Sequence, residues 1–516
     1  MKLKTIKEMT LKEKLGQLIL PGFHSTYYDE QIKTLIEDYH VGNVILFTRN
    51  FENAKQIREL SKTIHEKVLE HTGHIPFIAI DQEGGLVTRM MKDVTFAPGP
   101  MTASSSVVQD ATYYTGKMLA EDMIRLGMNL NLAPSLDVNN NPNNPVINVR
   151  SYSDDPKKVA ELGKKFIQGS GEFGVLACGK HFPGHGDCEV DSHLGLPTIN
   201  YDLDRIHKVE MYPFMQNIDV PAIMSAHILF PAYDTVPATL SRKILTNVLR
   251  EELGFNGLIL TDCLEMKAIQ DMYGTAKGAL MAVKAGADIC DISHTLSFQL
   301  DALKLIEEAV LNGEIPMSEL DEKVERILVA KERTLPYLEK YFYNQEMVYN
   351  EENNKLSQEI VDGSLTLVKG TNAVVDDNTL IVAPIAVAKT IIEDEFDDRN
   401  LAKVLRKEFN TLEVLEFDPS PEFKESVLNK VDSYKNIVLF SYNAQTSPKQ
   451  VEFINSVLAK KEEVTVISLK GPMDFHKYQN LRNYLCLYEY TPNSIRTVVK
   501  YFSNKIKPLG ELPVKL

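Results

Sequence analysis

The chain has 516 residues, of which 44% are hydrophobic and 25% are charged, a composition typical of soluble globular proteins. This length exceeds one ordinary domain and favours about two to four. The formal net charge of −15 argues against a nucleic-acid-binding protein, whose surface would carry a basic patch.

The amino terminus lacks the apolar stretch of a secretory signal, and no run of about 18 apolar residues predicts a membrane-spanning helix. The cysteines are odd in number and include no CxxC pair: Cys178, Cys188, Cys263, Cys290 and Cys486. We therefore expect reduced thiols and a cytoplasmic protein without a membrane partner.

Short apolar runs alternate with helical patterns through the first part of the chain. Residues 10–23 predict a capped helical turn and a first strand, because Thr10 and Glu13 fit a capping box. We predict seven further strands at Val41–Phe47, Phe77–Asp81, Met128–Asp137, Val175–His181, Ala222–His227, Gly257–Asp262 and Ala287–Asp291. Helices are predicted between them at Tyr28–Tyr39, Asn53–Glu70, Ala111–Leu126, Lys157–Glu172, Arg242–Glu252, Ala276–Ala285 and Leu296–Leu311.

This alternation predicts an α/β fold with a parallel sheet. Eight strand–helix units favour an N-terminal (β/α)8 TIM barrel, which needs about 250 residues or more, over a doubly wound open sheet. Ionisable side chains stand at five predicted strand ends: Asp81, Asp137, Lys180 with His181, His227 and Asp262. The carboxyl ends of barrel strands line the active site, so these residues mark a candidate site.

We assign residues 1–335 to the barrel domain and 336–375 to a linker. Polar, irregular sequence at Lys331–Pro336 and Tyr349–Asn354 marks the transition, although Leu356–Gly363 has a helical pattern. Residues 376–516 predict a small C-terminal α/β domain with helices on both faces of its sheet. This domain contains neither a GxGxxG nor a GKS/T motif, so we expect no nucleotide site there. Its expected role is structural cover or dimerisation, or else shaping of the substrate site.

The C-terminal elements follow the same reasoning. Strands are predicted at Thr379–Pro384, Leu412–Phe417, Asn436–Ser441, Glu463–Leu469 and Tyr484–Tyr488. Helices are predicted at Ala388–Phe396, Leu401–Phe409, Phe423–Val431, Gln450–Lys460 and Ser494–Ser503.

The stretch from Lys180 to His193 concentrates one lysine, three histidines, three acids and two glycines directly after a buried strand. Asp191 and His193 could form a proton-transferring pair, because a carboxylate fixes the imidazole tautomer and raises its basicity. The alternative is a structural loop histidine. Gly184 and Gly186 are a predicted hinge. The acids, histidines and Cys188 also suggest a metal, but HExxH and CxxC spacings are absent, so we expect none.

Asp262 could attack an electrophilic carbon and form a covalent ester, or it could cap the following helix. A second set of polar residues suits vicinal sugar hydroxyls, which need carboxylate acceptors and cationic donors. Each member could alone be part of a structural ion pair; together they predict a polar pocket: Asp81, Arg89, Arg150, Lys180 and His181.

Taken together, these motifs resemble glycoside hydrolase family 3, and most closely its bacterial β-N-acetylglucosaminidases. The resemblance rests on MTLKEKLGQL, DQEGGLVTR, NLAPSLDVN, NPVINVRSY, GKHFPGHGDCEVDSH, SAHI, PATLS, ELGFNGLILTDCLEM, TPNSIRTVVKYF and PLGELPV. Within that family, KHFPGHG…DSH distinguishes N-acetylglucosaminidases from β-glucosidases, which lack the Asp–His loop and use a glutamate from a later domain. Cys188 stands where threonine is usual, and Cys263 stands where another small or polar residue is common.

The resemblance implies Asp262 as nucleophile and His193 as acid/base, with Asp191 as its partner. It also implies a barrel followed by an α/β/α sandwich, and a set of residues that bind the N-acetylglucosamine ring: Asp81, Arg89, Arg150, Lys180 and His181.

The implied activity is that of a retaining exo-β-N-acetylglucosaminidase that needs no metal or cofactor. It would release terminal non-reducing N-acetylglucosamine from muropeptides or chitooligosaccharides, with a role in peptidoglycan recycling. Two alternatives stay open. One is a phosphorylase with the same Asp–His dyad, and the other is a sugar-binding protein without catalysis. The oligomeric state is not predicted.

Overall fold

The computed structural model describes residues 3–188, 195–345, 349–384, 400–409, 412–416 and 418–516. These residues form an α/β protein with three sheets. The six-stranded sheet of the first part of the chain is called the first sheet, the six-stranded sheet of the last part is called the second sheet, and a two-stranded sheet pairs the first strand with the eighth. Among them, no helix has the length and apolar character needed to cross a bilayer.

The first part of the chain contains eight short strands, as predicted. They are β1 (Ile19–Pro21), β2 (Asn43–Leu46), β3 (Phe77–Ile80), β4 (Leu130–Asn131), β5 (Leu176–Phe182), β6 (Ala222–Ser225), β7 (Leu258–Thr261) and β8 (Cys290–Ile292). Strands β2 to β7 form a six-stranded parallel half-barrel in chain order, and β1 pairs in parallel with β8. A bridge from Leu260 to Ile289 links β7 to the residue before β8. On the other side, the Asn43 amide of β2 donates to the carbonyls of Gln17 and Ile19.

Helices connect these strands. They are α1 (Leu11–Leu15), α2 (Glu30–Lys33), α3 (Ala54–Thr72), α4 (Pro100–Ser105), α5 (Ala111–Arg125), α6 (Pro156–Gly171), α7 (Leu203–Lys208), α8 (Tyr212–Gln216), α9 (Lys267–Tyr273), α10 (Thr275–Ala285), α11 (Leu296–Leu311) and α12 (Met317–Leu338). The segments Thr34–Asp38, Lys243–Glu252 and Glu339–Tyr343 are π-helical, and short 3₁₀ turns lie at Ile6–Glu8, Thr48–Asn50, Asn148–Arg150 and Ala238–Leu240.

The predicted capping box at the first helix is confirmed. The Thr10 hydroxyl accepts the Glu13 N–H at 3.3 Å, and the Glu13 carboxylate accepts the Thr10 N–H at 2.7 Å. These two bonds satisfy backbone donors that the first turn of a helix leaves without partners.

Alternate residues of the first eight strands point to two different cores. Ile45 and Leu260 belong to an inner core built almost wholly from strand residues. Their neighbours Val44 and Ile259 pack with the surrounding helices in a larger outer core. This alternation follows from the two-residue period of a strand, and α12 adds Ile327 to the inner core.

The prediction of irregular structure at Lys331–Pro336 is wrong, because these residues continue α12. Lys331 is fully buried, and its ammonium donates to Gln17 Oε1 at 2.6 Å and to the Gly42 carbonyl at 2.7 Å. Burial lowers the pKa of this amine well below its usual value. The charged sequence therefore belongs to a packed helix rather than to an exposed connection.

The second sheet contains β9 (Thr366–Lys369), β10 (Thr379–Pro384), β11 (Leu412–Leu415), β12 (Asn436–Ser441), β13 (Val464–Ser468) and β14 (Asn483–Cys486). Their order is β11–β10–β12–β13–β14–β9, and only β9 runs antiparallel to its neighbour. The five strands predicted between 376 and 516 are confirmed. β9 lies within the predicted linker and was not expected, because four residues are too few to show a strand period.

Helices accompany this sheet at α13 (Glu351–Ser364), α14 (Leu401–Glu408), α15 (Pro421–Val431), α16 (Pro448–Lys460) and α17 (Pro492–Phe502), with 3₁₀ turns at Ala444–Thr446 and Pro472–Lys477. On β12, Val438 packs with residues of α14 and α17, whereas Leu439 packs with residues of α15 and α16. Apolar side chains therefore cover both faces of the sheet. The predicted helix Ala388–Phe396 lies outside the described residues.

Candidate active site

A cavity of about 510 Å³ lies at the carboxyl ends of the strands of the first sheet. Six of the predicted site residues line it: Asp81, Arg89, Arg150, Lys180, His181 and Asp262. They come from four separate segments of the chain, and parallel strands bring those segments together because their carboxyl ends share one edge.

A buried lysine joins two acids on one wall of the cavity. Lys180 lies within β5, and its ammonium is 2.7 Å from Asp81 Oδ1 and 2.8 Å from Glu83 Oε1. Burial alone would lower the pKa of Lys180, but the charges of Asp81 and Glu83 outweigh it and raise the pKa. Lys180 therefore stays protonated and can donate to a ligand oxygen that approaches Asp81.

Glu83 also binds Arg150, which lies in the 3₁₀ turn Asn148–Arg150. Two hydrogen bonds of 2.9 and 2.6 Å join the guanidinium to both carboxylate oxygens. Burial would raise the pKa of Glu83, but the charges of Arg150 and Lys180 outweigh it and lower the pKa. The same pairing raises the pKa of Arg150 against the effect of burial. Both groups are thus charged within a closed network.

Arg89 completes this wall of the cavity. Its guanidinium lies 3.7 Å from Asp81 Oδ2 and 6.0 Å from the centre of the Phe47 ring. Its backbone N–H donates to Gln82 Oε1 at 2.8 Å, which fixes the far end of the DQEGGLVTR segment against its start. A carboxylate flanked by two cations is the donor and acceptor set that a sugar diol needs.

His181 is held by Asp137. The imidazole Nδ1 lies 2.7 Å from Asp137 Oδ2, and Asp137 also accepts the N–H groups of His181 and His185. Burial would raise the pKa of Asp137, but its interactions with His181 and His185 outweigh it and lower the pKa. The regular part of β4 ends at Asn131, earlier than predicted. Backbone hydrogen bonds to β5 nevertheless continue as far as Leu136, so Asp137 directly follows the last paired residue.

Asp262 follows β7 directly and lines the cavity. Its Oδ1 accepts the N–H of Cys263 at 2.7 Å, and its own N–H donates to the Ser225 carbonyl at 3.3 Å. The alternative role as a helix cap does not apply, because α9 begins at Lys267 with Met266 in the capping position. His227, at the end of the sixth predicted strand, bonds to the Cys263 carbonyl at 2.9 Å and so supports this turn.

Asp291 also lines the cavity, and its carboxyl group interacts electrostatically with Asp262. Its Oδ1 accepts the Ser293 hydroxyl at 2.6 Å, and burial raises the pKa of Asp291 well above its usual value. Arg49 lines the cavity as well, where it donates to the Ser293 carbonyl at 2.8 Å and stacks over Phe47 at 4.2 Å.

Two predicted site residues, Asp191 and His193, lie outside the described residues. The start of their loop is described as far as Cys188, which is buried. Gly184 and Gly186 do not have the open surroundings of a hinge. A Cβ at Gly186 would lie 1.6 Å from the Val138 carbonyl oxygen, and one at Gly184 would lie 2.8 Å from Glu210 Cβ. These glycines therefore permit close packing of the start of the loop against Val138 and Glu210.

No group of three or more potential metal ligands is found within the described ranges 3–188, 195–345 and the later segments. The sequence prediction missed Glu83, Asp291 and Arg49. Glu83 stands within the quoted DQEGGLVTR motif, but its two cationic partners are distant in the chain, so the motif alone does not show its role.

The sequence model of the family described as "Glycosyl hydrolase family 3 N terminal domain" matches residues 10–330 of this chain. The chain belongs to glycosyl hydrolase family 3. A curated member, beta-hexosaminidase A of Pseudoalteromonas piscicida, is 32% identical over 379 residues, covering 68% of this chain and 63% of the relative. The chain thus spans just under two thirds of that relative's length. A beta-hexosaminidase of Neisseria meningitidis serogroup C is 37% identical over 281 residues, covering 53% of this chain and 76% of the relative.

A solved family 3 structure is similar to this chain over almost its whole length. It is the glycoside hydrolase family 3 beta-N-acetylglucosaminidase from Paenibacillus sp. str. FPU-7, with a TM-score of 0.92 and 34% sequence identity. The match covers 98% of this chain and 99% of that one. Both parts of the chain therefore have counterparts in one family 3 protein.

Proposed function

We propose that this family 3 member is a retaining exo-β-N-acetylglucosaminidase that releases terminal non-reducing N-acetylglucosamine. The observation that carries the proposal is the placement of the Asp262 carboxylate in the same cavity as the Asp81–Lys180–Arg89 cluster. This arrangement offers an acceptor and donors for a sugar beside a carboxylate that can attack it. The relatives are named as beta-hexosaminidases and the similar structure as a beta-N-acetylglucosaminidase, which supports the same conclusion.

Asp262 is the proposed nucleophile. Its Oδ1 is already oriented by the Cys263 N–H, and attack on the anomeric carbon forms a covalent glycosyl ester as the glycosidic bond breaks. The proposed acid is His193, which gives its proton to the departing oxygen. Water, deprotonated by the same imidazole, then releases the sugar.

The roles of His193 and its partner Asp191 rest on the family resemblance, because both lie outside the described residues. Retention of configuration requires acid and nucleophile to stand about 5 Å apart across the scissile bond. A histidine serves this purpose without adding a second negative charge beside Asp262, since imidazole is neutral or cationic.

Asp81, Lys180, Arg89, Arg150 and His181 are the proposed ligands of the N-acetylglucosamine ring. Asp81 accepts from sugar hydroxyls while Lys180 and Arg89 donate to them. Asp81 and Glu83 pair with Lys180 and Arg150, so this wall presents both acceptors and donors, which suits the hydroxyls of a sugar.

The test is hydrolysis of an aryl β-N-acetylglucosaminide by the full-length protein and two asparagine variants. Asp262→Asn should abolish turnover, whereas Asp271→Asn, at an exposed position on α9, should leave it unchanged. His193→Ala should slow substrates with poor leaving groups most, because loss of a general acid typically lowers the rate by about 10²–10⁴-fold. Full activity of Asp262→Asn would disprove the assignment.

Product analysis with GlcNAc-MurNAc and with chitobiose identifies the leaving group, for which we propose muropeptides or chitooligosaccharides. The same reactions in phosphate buffer test the phosphorylase alternative, which would yield a sugar 1-phosphate instead of free sugar. A cytoplasmic role in peptidoglycan recycling predicts that cell fractionation recovers the protein and a GlcNAc-MurNAc activity together in the cytoplasm.

We further propose that strands β1 to β8 form a closed (β/α)8 barrel within residues 1–335. The Leu260–Ile289 bridge and the Asn43 bonds at the edges of the half-barrel support closure. Residues 376–516 are proposed as an α/β/α sandwich, preceded by a linker at 336–375 that contributes β9 to its sheet. Limited proteolysis of the full chain should release two resistant fragments that correspond to the two proposed domains.

A further inference from the structure

The second sheet and its helices contact two loops that build one wall of the cavity. Leu86, three residues after Glu83, is 4% exposed, and Val149, next to Arg150, is 5% exposed. Both are buried in a hydrophobic cluster that also contains Tyr488 and other residues of the second part of the chain. Glu83 and Arg150 therefore stand on two loops that are anchored, through Leu86 and Val149, in a hydrophobic cluster of the second part of the chain.

A buried carboxylate adds polar contacts to this junction. Glu489 follows β14, and its Oε2 accepts the Gly99 N–H at 2.8 Å and the Thr102 hydroxyl at 2.6 Å. Its Oε1 accepts the hydroxyl of Thr491 at 2.6 Å. Glu489 is 1% exposed, so these bonds are made away from water, where a lost partner is most unfavourable.

The bond to Gly99 is connected to the cavity wall through close backbone packing. A Cβ at Gly85 would lie 2.7 Å from Gly99 Cα, and one at Gly84 would lie 2.2 Å from the Pro98 carbonyl oxygen. The Gly85 N–H also donates to the Ala97 carbonyl at 2.9 Å. A shift of the segment 97–99 therefore moves the glycine turn that follows Glu83.

The Arg150 side of the pair has a comparable contact. A Cβ at Gly471, after β13, would lie 2.6 Å from Asn148 Oδ1. Asn148 adopts a φ of 39° in the left-handed region and begins the 3₁₀ turn that ends at Arg150. The second part of the chain thus packs directly on the turn that carries this guanidinium.

We propose that Glu489 is a positioning residue, which holds segment 97–99 so that the Glu83–Arg150 pair keeps the sugar-facing wall in place. Its consequences for sugar binding rest on the proposed function, whereas its effect on the two loops does not. Truncating Glu489 leaves the Gly99 N–H buried without its acceptor, so segment 97–99 moves to find another.

The first measurement reads the loops directly, by hydrogen–deuterium exchange of the full-length protein. Glu489→Ala should speed exchange about 10-fold or more in segments 82–99 and 146–150, while the inner-core strands keep the wild-type rate. Unchanged exchange in both segments in a folded variant would overturn the proposal, whether or not the protein cleaves sugars.

The second measurement reads the sugar site, with an aryl β-N-acetylglucosaminide as substrate and N-acetylglucosamine as calorimetric ligand. Glu489→Ala should lower kcat/KM by about 10–100-fold, mainly through KM, because a small misplacement of binding groups has effects of this size. Glu489→Gln should recover most of the loss, because its carbonyl can still accept from Gly99 and Thr102 while its amide donates to Thr491.

The matched control is Asp362→Ala. Asp362 also accepts three side-chain hydrogen bonds, from Gln358, Thr497 and Lys500, and none of these partners belongs to the cavity wall. Asp362→Ala should therefore leave KM unchanged.

A double variant tests whether Glu489 acts through the ion pair. In an Arg150→Ala background, Glu489→Ala should cause a much smaller further loss of kcat/KM, since both residues act through one ion pair. Fully additive effects, or an equal loss in Asp362→Ala, would refute the positioning role. Absence of turnover and of sugar binding in the wild type would instead refute the proposed function.

Discussion

Removal of Arg150 tests whether the Glu83–Arg150 pair is a stabilising part of the fold as well as of the cavity. Arg150→Met keeps much of the side-chain volume but deletes both hydrogen bonds to Glu83. Glu83 is 1% exposed, so water cannot replace the lost donors. The carboxylate then depends on Lys180 alone, at 2.8 Å.

The expected loss of stability follows from these contacts. Two unit charges about 4 Å apart interact by about 4 kcal/mol at an effective dielectric constant of about 20. Breaking a buried pair by removing one partner typically destabilises by about 3–5 kcal/mol. Because Lys180 still compensates part of the Glu83 charge, we expect the lower end, about 3 kcal/mol.

The pH dependence of unfolding gives a second sign of the same interaction. The folded-state pKa of Glu83 lies below its usual value of 4.5, so its contribution to stability is present above that value and is lost as the pH falls through the folded-state pKa. In Arg150→Met the pKa should rise, because the largest opposing charge is gone. Acid destabilisation should therefore begin at a higher pH than in the wild type.

Urea unfolding at several pH values measures both effects. The double variant Glu83→Gln with Arg150→Met should be less destabilised than Arg150→Met, since it buries no uncompensated carboxylate. If Arg150→Met unfolds at the wild-type urea concentration at neutral pH, or if the double variant is the less stable one, this account of the ion pair is wrong.

Two further predictions concern stability alone. Gly186→Ala should destabilise the fold by about 3 kcal/mol, because its Cβ would lie 1.6 Å from the Val138 carbonyl oxygen. The control Gly171→Ala has open space around its Cβ and should be neutral or stabilising by up to about 1 kcal/mol. Equal urea unfolding midpoints for the two variants would contradict this prediction. Burial raises the pKa of Asp122 to about 6, so Asp122 contributes about 3 kcal/mol of stability at low pH that is lost as the pH rises from about 4 to about 6. Asp122→Asn should not show this loss, and parallel pH–stability curves for the two proteins would disprove the assignment.

Much of the fold could be predicted from the sequence, because apolar runs mark buried strands wherever side chains face a core on both sides. Thr379–Pro384 and Asn436–Ser441 match their predicted bounds for this reason. The prediction failed where charge was taken as a sign of exposure. Lys331 is buried by acceptors far away in the chain, at Gln17 and Gly42, and no local pattern shows such a partner.

In the candidate site, too, residues marked by a local sequence pattern could be predicted, whereas residues whose role depends on distant partners could not. Asp81, Lys180 and Asp262 could be predicted because each belongs to a strand or directly follows one, and all line one cavity. Glu83 could not, since its role depends on ion pairs with residues that only the folded chain brings near. Gly186 was predicted as part of a hinge because glycine permits motion, but here it permits contact with the Val138 carbonyl.

The contacts of Lys331 and β1 have a consequence for synthesis on the ribosome. β1 pairs with β8, with Ile19 opposite Cys290, and Gln17 beside β1 accepts from Lys331. A nascent chain that ends before Cys290 and Lys331 leaves the edge of β1 without its partner strand. The first part of the chain should therefore reach its protected state only after Lys331 leaves the exit tunnel. Proteolysis of stalled nascent chains of increasing length would show this as a late, sharp gain in resistance; gradual protection from shorter lengths would contradict it.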